Sequence, residues 1–431
     1  MAILLLFCLI LTICIFLSVP LPVALFIGVV LFIIYAIHRH VPSQTILKLL
    51  YKGVLSTFPV LRILVLIGCL TGVWRCSGTI ASLIVMLSKL LSPSWFYPAV
   101  FIVSGIISVL LGSSFGTAST FGTISMVLSN ALGLNPMITG GAVLSGAFVG
   151  DRCSPVSSSA SVVAALTDTD LSDNLRNMMK SALPSTIITI IIYAVLGLVS
   201  FHGSVLQNDL TDIFTANFRT GVIALIPAAF IILLPLFHAK TIVTISFSIA
   251  AAGIIAVLYQ GISIPTLFKC IIYGYHPADP ELSNLLGGGG ILSMVNVILI
   301  VAISSSYSGL FEETGLLKDL QHFLLPISKR ISVFGCIVLV SIFASLFSCN
   351  QTFTIILVND LCRSLVPDKS KLALYLEDSS VLLPALIPWN IAGHVPLVSC
   401  GAPGESVIYA FYLVLVPLAG IIKDFCCKKD Q

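Results

Sequence analysis

The sequence predicts an all-α membrane protein: a polytopic helical bundle of about 10–13 membrane segments, with two repeats and with broken helices or re-entrant hairpins. Three observations predict it. Of 431 residues, 58% are hydrophobic and 9% charged, and mean hydropathy is +1.11, whereas a soluble globular chain carries about 25% charged residues. The apolar runs are roughly 17–22 residues long, enough for a helix to cross a hydrocarbon core of about 30 Å. Strands of a membrane barrel would instead alternate over about ten residues, and that pattern is not evident. Finally, one polar island interrupts the apolar runs in each half of the chain. Hydrocarbon tolerates broken backbone and charge only where they pack inside protein or line a cavity.

Residues 2–18 and 21–37 form the first two apolar runs. They lack the basic start and cleavage site of a signal peptide, so they are expected as membrane helices. Runs at 54–72, 94–111, 137–150 and 182–200 follow, then 219–237, 241–259, 289–306, 331–348, 380–399 and 405–422. Shorter or more polar stretches at 76–91, 113–133, 310–325 and 350–366 are candidates for re-entrant hairpins. His38, Arg39, His40, Lys48 and Lys52 follow the second run, and Lys423, Lys428 and Lys429 follow the last. Cytoplasmic loops collect Lys and Arg, so both termini are expected in the cytoplasm, in the cell (inner) membrane. The 12 cysteines are scattered through apolar runs without metal-ligand spacing, as expected of small buried hydrophobes.

A polar stretch at 202–218 divides the chain into N-terminal helices (1–40), a first repeat (41–201) and a second repeat (219–425). Thr71–Gly78 matches Ser308–Gly315 at an offset of 237. In each half an amphipathic stretch, an apolar run and a break rich in Ser, Thr or Asn follow, and Ser113-Ser114 falls opposite Cys349-Asn350. Each half then reaches an acidic, serine-bearing motif. Repeats of this kind mark secondary transporters, and an odd number of spans in each would make them inverted, the arrangement expected here.

The chemistry sits in the islands. Ser113, Ser114, Thr117, Ser119, Thr120 and Thr123 offer hydroxyls, hard oxygen ligands suited to small cations, although hydroxyls also serve tight helix packing. Asp151 ends an apolar run and precedes Pro155; an acid at a helix break can bind a cation or exchange a proton. Arg152, its neighbour, could neutralise it. Ser154, Ser157 and Ser158 follow. In the second island Asn350, Gln351 and Thr352 supply carbonyl and hydroxyl groups, and Pro384, Pro388 and Asn390 would interrupt the next helix. Glu377 and Asp378 are adjacent acids that repel in a low dielectric, so one tends to hold a proton. Trp389 is either a site wall or an interfacial anchor. His394 is a core histidine or a proton relay. Glu312 and Glu313 gate, pair with Arg75, or are solvated. Gly287–Gly290 reads as a flexible helix entry. A Ser-His-Asp order, a metal motif and a nucleotide loop are not evident, so an enzyme or an ATP-driven pump is not expected. The net charge of +3 gives no argument for nucleic acid.

Gly112-Ser113-Ser114-Phe115-Gly116-Thr117, Gly146 to Pro155, and Leu376-Glu377-Asp378-Ser379 with Leu386 to Gly393 resemble signatures of the NhaC family of Na⁺/H⁺ antiporters. The resemblance spans about residues 50 to 420. It implies a repeat-built helical carrier working by alternating access, with Ser114, Thr117, Asp151, Ser154, Ser157, Glu377, Asp378 and Asn390 near the transport site. One position departs: where the family shows Asp-Thr-Thr-Asn, this chain has Ser158, Ser159, Ala160 and Ser161. The expectation is Na⁺/H⁺ antiport with Na⁺ at Asp151, Ser114 and Asp378, and with Na⁺ and H⁺ as coupling ions in place of a cofactor. The alternative is a Na⁺- or H⁺-coupled carrier of a small organic acid, of malate or lactate type, or of an amino acid. A passive channel is a third reading. The expected partners are the small substrate and the lipid bilayer, with a homodimer left open.

Overall fold

A computed structural model describes residues 2–17, 19–90, 93–200, 207–237, 239, 241–307, 310 and 332–429. Among them the chain is helical and contains no strand, only an isolated bridge between Tyr275 and Gly288. The apolar runs fold into helices, among them Ala2–Phe16, Leu21–His38, Phe58–Cys76, Phe96–Leu111, Pro136–Cys153, Leu171–Ser200, Thr241–Leu258 and Val333–Ser348. Local chemistry sets their ends. Pro136, which needs no N–H partner at a first helical position, opens its helix behind Asn135, whose side chain accepts from the Met137 amide at 2.9 Å.

By length and hydropathy, Leu21–His38, Leu171–Ser200 and Gly404–Phe425 each suffice to cross a bilayer. Two bent pairs qualify together: Ser43–Leu55 with Val60–Cys76, bent by 42°, and Lys369–Leu386 with Ile391–Cys400, bent by 57°. Other apolar helices, among them Phe96–Leu111 and Val333–Ser348, are shorter, at 10–17 residues. The expected run 380–399 is therefore not one helix. Pro384 and Pro388 lack the amide a helix needs, and the chain passes through a short 3-10 turn, Leu383–Leu386. Asn390 then restarts it, accepting from the Ala392 amide at 3.1 Å. The polar stretch at 202–218 contains a helix, Gln207–Asn217, that packs on Thr79–Leu90. The expected counterpart of Thr71–Gly78, with Glu312 and Glu313, lies outside the described residues apart from Leu310.

The two halves share a backbone pattern. Helix Phe96–Leu111 ends on a left-handed residue, Gly112 (φ 63°), and Ser113 caps a new helix. Helix Val333–Ser348 ends on left-handed Cys349 (φ 50°), and Asn350 caps a new helix. Each of these positions is 237 residues from its counterpart. Four fewer residues then separate the breaks in the second half. From there the caps recur at 233 residues: Asn135 and Asp368, Ser157 and Asn390, and left-handed Asp168 and Gly401.

The matched ten-residue helices after the second caps trade places. Ser158–Thr167 packs on Gln351–Cys362 and Lys369–Asp378 of the other half. Ile391–Cys400 packs on Ser114–Thr117 and Pro136–Cys153. This exchange brings the two polar islands together. Pro136–Cys153 in turn lies against Phe96–Leu111 through Gly146 and Gly150, where a Cβ would overlap the Phe101 and Ser108 carbonyls. Small residues four apart allow this close approach of helices in membranes.

Candidate ion site

A cavity of about 130 Å³ lies where the breaks meet. Ser113, Ser114, Asp151 and Ser158 line it from the first half, and Asn350, Gln351 and Thr352 from the second. Thr57, at the bend between Ser43–Ser56 and Phe58–Cys76, adds a third broken segment. Asp151 is buried, whereas Ser158 and Thr352 are exposed, so the cavity opens toward them.

Asp151 sits in the last turn of Pro136–Cys153, and its carboxylate Oδ2 accepts from Gln351 Nε2 at 2.8 Å. The same amide nitrogen donates to the Val381 carbonyl at 2.9 Å. Gln351 thus ties the acid of one half to the backbone of the other. The Ser114 amide and hydroxyl also face the Asp151 carboxylate. The Asp151 carbonyl is held by the hydroxyls of Ser157 and of Ser159, the latter at 3.0 Å. The arrangement offers a single carboxylate, several neutral oxygens and an amide, which suits a small monovalent cation. Among the described residues no group of three or more His, Cys, Asp or Glu converges as a metal cluster.

The remaining expected residues surround this centre without lining it. Thr117 donates to the Ser113 carbonyl at 2.9 Å and Ser154 to the Val109 carbonyl at 2.6 Å. Ser157 accepts from the Ala160 amide at 3.3 Å as a helix cap. Asn390 donates to the Ser345 carbonyl at 3.1 Å, fastening its helix start to Val333–Ser348. Trp389 is buried and donates to the Leu346 carbonyl at 2.7 Å, so it packs inside the break and is no interfacial anchor.

Arg152 and the second pair of acids differ from expectation. Arg152 is fully buried and forms an ion pair with Asp378, not with its neighbour Asp151. It also donates to the Ser181 hydroxyl at 2.7 Å, the Tyr412 hydroxyl at 3.3 Å and the Cys153 sulfur at 3.8 Å. The reason is helical geometry: successive residues diverge by about 100°, so Asp151 faces the cavity while Arg152 faces Lys369–Asp378. Asp378 is thereby occupied and does not line the cavity with Asp151 and Ser114. Glu377 is also absent from the lining; both its oxygens are buried, and among the described residues neither has a hydrogen-bond partner. Ser181 and Tyr412 carried no sequence signal, because both are ordinary residues of apolar helices. Gly287–Gly290 is a turn with three left-handed glycines, and its backbone packs on Gly68 and Gly72 while Arg75 donates to the Gly287 carbonyl.

The model of the Na⁺/H⁺ antiporter family matches residues 1–165 and 149–423. The chain is 28% identical over 372 residues to the Na⁺/H⁺ antiporter NhaC of Alkalihalophilus pseudofirmus, covering 84% of this chain and 80% of that one. It is 25% identical over 418 residues to the Na⁺/H⁺ antiporter NhaC of Bacillus subtilis, covering 94% and 92%. It is 27% identical over 388 residues to the malate-2H⁺/Na⁺-lactate antiporter of Bacillus subtilis, covering 87% and 82%.

Proposed function

The chain belongs to the Na⁺/H⁺ antiporter family, and on that premise we propose that it exchanges Na⁺ for H⁺ by alternating access, with Asp151 as the ion-binding carboxylate. One observation carries the reading: both polar islands line one small cavity around a single buried acid. Its volume of about 130 Å³ is well below the roughly 300–1,000 Å³ of pockets for organic ligands. Ser113, Ser114, Ser158, Asn350 and Thr352 supply neutral oxygens beside it. A carboxylate that takes either a cation or a proton couples the two, because occupation by one excludes the other. The matched breaks at Gly112–Ser113 and Cys349–Asn350 are the elements that move against each other. In this reading the halves at 41–201 and 219–425 are the two repeats, Glu377 and Asp378 support the site, and ion exchange needs no catalytic group or cofactor.

The membrane is the cell membrane, with both termini in the cytoplasm. Lys180, Lys371 and Lys423 support that orientation: they come from three helices and border one cavity, and cytoplasmic faces gather lysine.

The test is a Na⁺ pulse on vesicles that hold the reconstituted protein and an internal pH dye. Na⁺-dependent proton movement that disappears in Asp151→Asn is the expected result. Silence toward Na⁺ and Li⁺ between about pH 6 and 9, a span that covers moderately perturbed carboxylates, would sink the proposal. The second reading, exchange of a small organic acid, is favoured by Ser158: it lines the cavity where the family pattern carries an acid. Uptake of labelled malate or lactate tests it.

A further inference from the structure

A second cavity, of about 540 Å³, lies between Leu171–Ser200, Lys369–Asp378 and the last helix, Phe411–Lys429. Lys180, Lys371 and Lys423 border it, one from each helix, and all three are exposed. Among the described residues none of the three forms an ion pair with a carboxylate. The two acids that line the cavity are already engaged. Asp378 is paired with Arg152 and receives Ser181 at 3.4 Å. Asp424 accepts from the Tyr375 hydroxyl at 2.7 Å and from the Phe334 amide at 3.1 Å. The Lys371 ammonium lies 5.4 Å from the centre of the Tyr375 ring, which holds it at the cavity wall. With Asp378 taken up by Arg152, the three lysines face one further carboxylate, Asp424, and the cavity carries a surplus of positive charge.

What surrounds it is apolar. Leu183 and Ile187 on the first helix and Leu418 and Ile422 on the last are exposed large hydrophobes, and they continue away from the lysines along helices long and apolar enough to cross a bilayer. A ligand that satisfies both features has an anionic head and hydrocarbon chains. We propose that this cavity binds an anionic phospholipid, its phosphate among Lys180, Lys371 and Lys423 and its chains on the flanking hydrophobes. The site joins a helix of the first half to two of the second. A bound lipid therefore bridges the halves at the point where Arg152 and Asp378 already connect them.

The experiment uses the full chain purified in neutral detergent, with thermal unfolding as readout. Phosphatidylglycerol is expected to raise the apparent melting temperature by roughly 2–4 °C through preferential binding to the folded state. The shift should shrink as salt rises from about 0.1 to 1 M, where screening tightens to roughly 3 Å. Phosphatidylcholine and inorganic phosphate should give no shift. The combined K180Q/K371Q/K423Q variant should lose the shift, K180R/K371R/K423R should keep it, and R39Q/K48Q/K52Q, in another basic patch, should keep it. An equal shift in the glutamine variant, an equal shift with phosphatidylcholine or phosphate, or no shift at all overturns the proposal. Native mass spectrometry gives an independent count: one fewer phosphatidylglycerol on the glutamine variant supports it, and an unchanged count refutes it.

Discussion

The helix breaks at Gly112–Ser113 and Cys349–Asn350 share a backbone but differ in the chemistry around them. Both consist of a 16-residue helix, a left-handed residue and a polar cap. Glycine fills the left-handed position in the first half, where a Cβ would also come within 2.7 Å of the Val156 backbone. The second half tolerates cysteine there, with its thiol accepting from the Tyr307 hydroxyl at 2.8 Å. The acids are not duplicated at all. Asp151 corresponds in the 233-residue register to Pro384, while Glu377 and Asp378 correspond to Leu144 and Ser145. The pattern of breaks and caps thus recurs and the charge does not: the first half supplies the carboxylate in the cavity, and the second supplies a carboxylate that holds Arg152.

Removing the two carboxylates separately is the strongest way to break this comparison. Asp151→Asn keeps an acceptor for Gln351 and removes only charge. It should cut Na⁺-dependent proton flux by on the order of 100-fold, the scale for losing a buried charged contact of a few kcal/mol, while the melting temperature holds. Asp378→Asn should do the reverse, because it leaves the Arg152 guanidinium buried without its counterion. Breaking a buried pair from one side costs about 3–5 kcal/mol, and replacing both members by apolar residues recovers much of it. Arg152→Met combined with Asp378→Leu should therefore melt above either single variant. If Asp378→Asn abolishes exchange without lowering stability, the division of labour between the halves is wrong.

Ser158→Asp sharpens the comparison with a smaller effect. It restores to the cavity the acid that the family pattern carries there. A second carboxylate near Asp151 adds attraction for a cation; at an effective dielectric near 20, a charge at several ångströms contributes a few kcal/mol before desolvation. A gain of about tenfold in apparent Na⁺ affinity is expected, read from the Na⁺ concentration that gives half-maximal proton movement. An unchanged or weaker Na⁺ response would favour an organic-acid cargo for the native site.

Much of this architecture was legible in the sequence. The helices follow apolar runs because burial and lipid both reward them. Seven of the expected site residues, Ser113, Ser114, Asp151, Ser158, Asn350, Thr352 and the amide-bearing Gln351, meet at one cavity. The partner of Arg152 was not legible. Adjacent residues in sequence suggest a pair, but a helix turns them apart, and the partner comes from 226 residues away. The exchange of Ser158–Thr167 and Ile391–Cys400 between halves was equally hidden, since both are short apolar stretches whose neighbours only the fold decides. Caps carry a recoverable signal: Asn135, Ser157, Asp368 and Asn390 are cap-forming residue types, and their constant spacing shows the pattern common to the two halves more sharply than the apolar runs do.

The smallest test concerns the matched left-handed positions Asp168 (φ 54°) and Gly401 (φ 79°). Aspartate is strained there and glycine is not, but Asp168 also pairs with Lys369 at 2.7 Å. Hydrogen bonding to the Lys369 ammonium, together with its charge, holds the Asp168 carboxyl below the usual carboxylate range. Its folded-state pKa is depressed, so the stabilising contribution is present above the unfolded-state value and is lost as pH falls through the folded-state value. Asp168→Gly exchanges a screened surface pair for a relaxed backbone. At neutral pH the melting temperatures of variant and native chain should nearly coincide. Below the ordinary carboxylate range the native chain loses its ion pair but keeps its strain, so the glycine variant should melt higher. The same ordering at both pH values would mean that the Asp168–Lys369 pair adds nothing. The left-handed backbone would then be held by the packing of Ser158–Thr167 on the other half alone.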